Sequence, residues 1–381
     1  MERFDVLVVG GGPAGSSCAA GLVRAGVEVA VLDKATFPRD KVCAGWITPP
    51  VLRALEVDPQ DYAKGGRVLQ PIRGFTVAKR GDPGSDADCG AVISYGIRRC
   101  ELDHFLLERS GAALRLGESL ESLRREDGAW IANESIRARW LVGAGGHFCP
   151  VARELGARPG RDEPTTVVAR EVEFEMTPEQ QARCAVRADL PALYFEPDLR
   201  GYGWVVRKGD WLNVGLGRQD AEGFPAHAAC FAAWLAREGL VPPDVPQRWR
   251  GHAYLLHGEA QRPLSAPGVL LCGDSAGLAY PRSGEGIRPA VESGLLAARS
   301  LARALHHRRG GAAERSYTRA LVSRFGPRRP RRGAVAALSG WLPAQARARV
   351  AARCLASAWF SRRVVVERWF LHREVPALAT G

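Results

Sequence analysis

The opening of the chain constrains it most. A largely apolar run, Phe4–Val9, leads at once into Gly10-x-Gly12-x-x-Gly15, and a second apolar run, Val27–Leu32, ends on Asp33. The small residues between Gly10 and Gly26 predict a turn that opens a helix, so the segment is a strand, a helix and a second strand. Each glycine has its own task in such a unit. Gly10 permits the tight turn, Gly12 lets a pyrophosphate approach the backbone, and Gly15 allows the helix to pack closely on the strand. Pro13 and Ala14 complete the turn, and Asp33 is placed to accept hydrogen bonds from ribose hydroxyls. The pattern points to a bound dinucleotide and leaves FAD and NAD both open.

The other end of the same domain separates them. In VLLCGDSAGLAYPRSGEGI, Gly273 and Asp274 follow a buried strand, and a glycine turn then starts a helix. Asp274 can hold a ribityl hydroxyl, and the free N–H groups around Gly284, Gly286 and Ile287 suit an isoalloxazine ring. A helix N-terminus there favours the negative charge that reduction places on the flavin. A plain strand–helix corner does not account for both the acid and the glycines.

Between these segments the pattern changes. Residues 99–110 have helical spacing and 138–144 form a strand, whereas 166–256 hold short alternating pieces interrupted by an amphipathic stretch at 224–239. The expected fold is α/β: a Rossmann-type FAD-binding domain interleaved with an antiparallel-sheet substrate domain, plus a helical C-terminal region. The FAD domain is expected from 1–65, 99–160 and 261–310, the substrate sheet from 66–98 and 161–260, and a basic helical region from 311–381.

Composition removes several other classes. The 381 residues are 46% hydrophobic and 25% charged, which excludes a disordered or fibrous chain. Nine cysteines contain no C-x-x-C pair and no His/Cys ligand spacing, so no metal site is expected. The glycine-rich start lacks a secretory h-region and no apolar run reaches the ~18 residues of a span. These features predict a cytoplasmic protein with reduced thiols, with a peripheral position on the inner membrane face left open. The net charge of +12 is local: 301–381 contain 17 arginines against Glu314, Glu367 and Glu374, which is +14 in that stretch alone.

On these residues the chain resembles the geranylgeranyl reductase family, a branch of the FAD-dependent oxidoreductases related to the aromatic hydroxylases. The resemblance covers most of residues 1–310. PRDKVCAGW at 38–46 resembles the family's lysine–cysteine–glycine segment, with Lys41, Cys43 and Trp46. Arg99-x-x-Leu102-Asp103 resembles the helix that braces FAD, and PRSGEGI at 281–287 resembles the turn beside the flavin. Tyr202-x-Trp204, followed by Gly215-x-Gly217, resembles the motif lining a prenyl-chain cavity. Two departures stand out: Gly143-Ala144-Gly145-Gly146 replaces the usual Gly-Ala-Asp-Gly, and Val206-Arg207 stands where Phe-Pro is expected.

The resemblance implies reduction of C=C bonds in a prenyl or other lipophilic substrate by hydride transfer from reduced flavin. The rival is a flavin monooxygenase, either hydroxylase or epoxidase, acting on a lipophilic or aromatic molecule. Alkene reduction needs a proton as well as a hydride. Cys43 is the first candidate donor; the bland alternative is a buried small hydrophobe. Tyr202 could donate through its phenol, although alternation with Trp204 also fits one packed face of a strand. Trp46, Trp204, Gly215 and Tyr280 are expected to line the substrate site. Lys34, Lys41 and Arg99 are candidates for FAD contact, with a solvated loop the favoured alternative for Lys34. No second glycine-rich unit is present, so the reductant is expected to be NAD(P)H bound transiently over the flavin, or an electron-donor protein. The basic tail carries Leu338, Trp341, Leu342, Val350, Leu355, Trp359, Phe360, Trp369 and Phe370 among its arginines. It can cap the substrate domain or meet an anionic membrane surface; nucleic acid is not indicated, because no recognition motif accompanies the charge.

Overall fold

The computed structural model describes residues 1–158, 166–219, 222–306, 312–328 and 343–379. Residues 329–342, which carry part of PRRPRR and also Leu338, Trp341 and Leu342, lie outside the described residues. The chain divides into two compact units, each assembled from three segments.

The first unit takes Met1–Asp40, Cys100–Thr165 and Tyr254–Pro330. At its centre Glu2–Val9 pairs in parallel with Val29–Asp33 on one side and Ile136–Gly143 on the other. The sheet continues to Ala113–Leu116 beyond the former and to Val269–Leu271 beyond the latter, both parallel. A hairpin, Leu123–Glu126 with Ala129–Ala132, adds antiparallel strands. Parallel strands buried on both faces should be apolar throughout, and Val6, Leu7, Val8, Val31, Leu32, Leu141 and Val142 are all buried. Two helices cross closely on this sheet, Pro13–Arg24 and Ile287–His306. The crossing is made of small residues: Gly294 lies against the Ala14 backbone and Gly21 against Ala298.

The second unit takes Lys41–Arg99, Thr166–Ala253 and Arg331–Gly381. Its larger sheet runs in the order Arg250–Leu255, Thr166–Glu175, Trp211–Arg218, Gly201–Lys208, Ala192–Phe195, Gly74–Lys79, Ser85–Asp88. It is not wholly antiparallel as the alternation suggested, because Ala192–Phe195 and Gly74–Lys79 come from distant segments and pair in parallel. One face packs on the helix Phe224–Arg237 through Val205, Val214, Leu216, Phe231 and Leu235.

Two boundaries differ from the sequence expectation. Residues 41–65 cluster with the second unit, because Trp46–Ile47 pairs with Ser94–Ile97 in a small three-stranded sheet. The C-terminal region is divided. Ala312–Phe325 belongs to the first unit, where the Tyr317 hydroxyl donates to Leu271 O at 2.7 Å. Residues 343–379 belong to the second, where Leu355, Val365, Val366 and Phe370 are buried and Ser85 Oγ donates to Leu355 O at 2.9 Å. Among the described residues no helix is long and apolar enough to cross a membrane, and no cluster of His, Cys, Asp and Glu could hold a metal ion.

Candidate active site

In the first unit the glycine loop has the form expected of an anion cradle. Gly12 caps the helix Pro13–Arg24 with extended backbone, no side chain caps its first turn, and Pro13 has no N–H to lose. The Ala14 and Gly15 amides therefore stand at the positive end of the helix. Gly10 has φ +112°, and a Cβ there would overlap the Ala144 carbonyl oxygen, so the turn excludes other residues. A Cβ at Gly12 would meet only Arg39 Nη2, at 3.5 Å, which leaves that side open for a ligand to approach. Asp33 also braces the loop: its Oδ2 accepts from Gly11 N–H at 2.7 Å and its Oδ1 from Ala35 N–H at 2.9 Å. A carboxylate offers about four acceptor positions, so both oxygens can still take a ribose hydroxyl.

The far-end motif lies in the same unit. Gly273, Asp274 and Ser275 form one tight turn, and Gly273 N–H donates to Ser293 Oγ at 2.9 Å. A Cβ on Gly286 would meet only Asp274 Oδ1, at 3.5 Å, so the PRSGEGI turn and the Gly-Asp pair share an open edge. Gly284 lies against the Tyr254 hydroxyl, and Ile287 begins the helix Ile287–His306. Glu285 Oε1 accepts Arg288 N–H at 2.7 Å, and lost hydration raises its pKa to about 7. Tyr280 packs edge-on to Phe325, and burial raises its phenol well above the ordinary value. Lys34 is exposed on the turn after Val29–Asp33. Arg99 begins the helix Arg99–Glu108, and Asp103, fully buried in that helix, pairs with Arg39 Nη1 at 3.3 Å. No spacing in the sequence signals this pairing of Arg39 with Asp103.

In the second unit, one face of the large sheet carries the rest of the candidates. Strand register sets Trp204 opposite Gly215 and Tyr202 opposite Gly217. Gly215 makes room for the Trp204 ring, since a Cβ there would overlap the indole. Tyr202 meets Phe370 from the C-terminal segment with centroids 5.3 Å apart, and Trp46 meets the same ring at 5.9 Å. Trp204 Nε1 donates to Asn213 Oδ1 at 2.7 Å.

Cys43 lies in the loop before Trp46–Ile47 with Lys41, and this loop is tied to the same face. Cys43 N–H donates to Glu171 Oε2 at 2.8 Å, and Asn213 Nδ2 donates to Cys43 O at 3.2 Å. Gly45 N–H donates to the Cys43 sulfur at 3.4 Å. Gly45 has φ +67°, and a Cβ on it would overlap Ile97 O and Lys208 Nζ. Lys208 is 0% exposed and donates to Glu173 Oε1 at 2.6 Å. Burial, opposed by the Cys43 hydrogen bond and by Lys208, raises the Glu171 pKa to about 7. Glu171, Glu173, Asn213 and Lys208 are absent from the sequence-derived list. Alternation could have found them, because Glu171 and Glu173 flank Val172, and Asn213 and Gly215 flank Val214.

Similarity to known proteins agrees with this geometry. A family model described as FAD dependent oxidoreductase matches residues 5–79. A menaquinone reductase of Mycobacterium tuberculosis is 32% identical over 323 residues, covering 79% of this chain and 77% of its own. A geranylgeranyl diphosphate reductase of Rhodobacter capsulatus is 30% identical over 317 residues, covering 78% and 74%. The chain belongs to the geranylgeranyl reductase family of FAD-dependent oxidoreductases. The fold agrees as well: the crystal structure of a geranylgeranyl bacteriochlorophyll reductase-like protein from Thermoplasma acidophilum matches with TM-score 0.76 at 20% identity over 98% of both chains. FAD is thus the cofactor of this flavoprotein, and the open glycine positions and uncapped helix fit its pyrophosphate.

Proposed function

We propose that this flavoprotein saturates C=C bonds in the isoprenoid chain of a lipophilic substrate. The observation that carries the reading is what the two curated relatives have in common. One is named for menaquinone and the other for geranylgeranyl diphosphate. Their head groups are unrelated, while both molecules carry an isoprenoid chain, so the chain is the shared object of the chemistry. The aromatic face of Trp46, Tyr202 and Trp204 offers an apolar surface of the kind such a chain requires.

The glycine loop, Asp33, Asp274 and the turn at Gly284–Ile287 would hold FAD, with Lys41 and Arg99 as further contacts. Bound there, reduced FAD would supply the hydride for one alkene carbon and be oxidised in turn. The chain must deliver a proton to the other carbon, and Cys43 is the group we assign to this. Its S–H bond breaks as the new C–H bond forms, and the thiolate, which Gly45 N–H can stabilise, regains a proton from water. Tyr202, Trp204, Gly215 and Trp46 orient the chain and exclude water; Tyr280 packs beside the flavin turn. The reductant is NAD(P)H or an electron-donor protein, and bleaching of the flavin on mixing with NADPH would decide between them.

The substrate class gives the C-terminal helices a role. Trp359 is 68% exposed, and Arg347, Val350, Arg349, Arg353 and Arg368 are exposed around it in sequence. Cations with an exposed indole suit an anionic lipid surface, where isoprenoid lipids reside. Cosedimentation with phosphatidylglycerol vesicles, lost at high salt, is the expected result; equal pelleting with phosphatidylcholine vesicles contradicts it. The activity is tested by the mass of the product formed from geranylgeranyl diphosphate by the reduced protein.

A further inference from the structure

We infer that Glu171, together with Asn213, is a positioning residue for proton delivery: the pair clamps both backbone polar groups of Cys43 and so fixes where its thiol points. The inference rests on the reading of Cys43 as the proton donor and names the residues that make that reading workable. A thiol on an untethered loop would sample many directions, whereas proton transfer to carbon tolerates little misplacement. Cys43 is tethered at both ends of its peptide. Its N–H goes to Glu171 Oε2 at 2.8 Å, and its C=O takes Asn213 Nδ2 at 3.2 Å. These anchors come from neighbouring strands of a rigid sheet, Thr166–Glu175 and Trp211–Arg218, 128 and 170 residues away in sequence.

The anchors are held in turn. Asn213 Nδ2 also donates to Glu171 Oε2 at 3.3 Å and to Glu173 Oε1 at 3.2 Å, while its Oδ1 is fixed by the Trp204 indole. Lys208 balances the two acids from the strand Gly201–Lys208, and Arg98 lies 3.7 Å from Glu173 Oε2. Neither Glu171 nor Asn213 is needed for the apolar packing of the sheet, which uses the other face through Val172, Val214 and Leu216. A buried carboxylate is a costly way to hold a loop unless the hold itself matters. An ionised acceptor makes a hydrogen bond about twice as strong as a neutral one, so the clamp tightens as Glu171 loses its proton.

The test compares Glu171→Ala, Glu171→Gln and Cys43→Ala in the full FAD-loaded protein, with geranylgeranyl diphosphate as substrate and photoreduced flavin as electron source. Two readouts are taken: turnover from pH 6 to 8, and amide hydrogen exchange of the peptide covering residues 41–47. Glu171→Ala is expected to lower kcat about 10-fold or more with KM little changed. It should speed exchange in 41–47 and leave other sheet peptides protected. Glu171→Gln keeps an acceptor oxygen for Cys43 N–H. It should match the parent within about 3-fold at pH 6 and lack the rise in kcat near pH 7 that is expected of the parent as Glu171 ionises. Unchanged exchange and unchanged turnover in Glu171→Ala, with Cys43→Ala inactive, would overturn the positioning role alone. Full turnover in Cys43→Ala would overturn the donor reading and the inference with it. If Glu171→Ala does not fold, the pH profile of Glu171→Gln decides: a rise identical to the parent's overturns the inference.

Discussion

Gly294→Ala sets two physical effects against each other, and the structure predicts which prevails. Gly294 lies inside the helix Ile287–His306, so alanine gains about 0.5–1 kcal/mol from helix propensity. The added methyl, however, points at the other helix of the crossing. It would overlap the Ala14 carbonyl oxygen and come within 3.1 Å of Cys18 N. Backbone cannot step aside as a flexible side chain can, and overpacking of this kind costs about 1–3 kcal/mol. The net expectation is a loss of about 1–2 kcal/mol, a fall in Tm of about 2–8 °C for a unit of this size. Ala14 also carries one of the amides of the anion cradle, so the same displacement should weaken FAD by about 5–30-fold. Thermal unfolding of the apoprotein and titration of apoprotein with FAD, followed by flavin fluorescence, measure the two effects separately. A Tm equal to or above the parent's would show that the helices are not in tight contact at Ala14 and would refute the reasoning.

Other substitutions probe other parts of the account. Asp33→Ala leaves the Gly11 and Ala35 N–H groups without their acceptor, a loss of about 1–3 kcal/mol, and should raise the FAD dissociation constant at least ~5-fold in the same titration. The folded protein holds the Glu171 proton up to about pH 7, against an ordinary carboxyl value of 4.5, so this tighter proton binding contributes stability that is fully present below about pH 4.5. That contribution is lost as pH rises through 7, by about 3 kcal/mol. The Tm of the parent should therefore fall more between pH 5 and 8 than that of Glu171→Gln, and parallel curves would contradict the assignment. Trp204→Phe removes the donor to Asn213 Oδ1, and should cost about 1 kcal/mol and lower kcat more than FAD affinity. Trp359→Ser should reduce binding to phosphatidylglycerol vesicles while leaving turnover of dispersed substrate unchanged.

Much of the nucleotide half was legible because its signals are local. A glycine turn, the strands on either side of it and Asp33 all lie within about thirty residues, and the structure keeps that spacing. The Cys43 half was not legible in the same way. Its partners are 128 and 170 residues distant, and no spacing in one sequence announces that a carboxylate will meet a loop amide. The alternation that put Tyr202 and Trp204 on one face also puts Asn213, Gly215, Glu171 and Glu173 there, once the strand pairing is known. Pairing is long-range information, and charged residues in a strand ordinarily signal a solvated face. The same limit explains residues 41–65: the two-residue strand Trp46–Ile47 is too short to read and pairs with Ser94–Ile97. The division of the C-terminal region shows in long-range contacts such as Tyr317 to Leu271 and Ser85 to Leu355, which helical periodicity does not encode.

Saturation of an isoprenoid C=C bond by reduced FAD and a protein proton donor, as proposed, leaves a signature in the mass of the lipid. The most direct measurement is the mass of the lipid recovered after the photoreduced protein is mixed with geranylgeranyl diphosphate or a menaquinone, first without oxygen and then in air. A gain of two hydrogens is expected, placed in the isoprenoid chain by fragmentation, with stoichiometric reoxidation of the flavin in the absence of oxygen. A gain of one oxygen in air, or substrates recovered unchanged while FAD is bound and reduced, would contradict it.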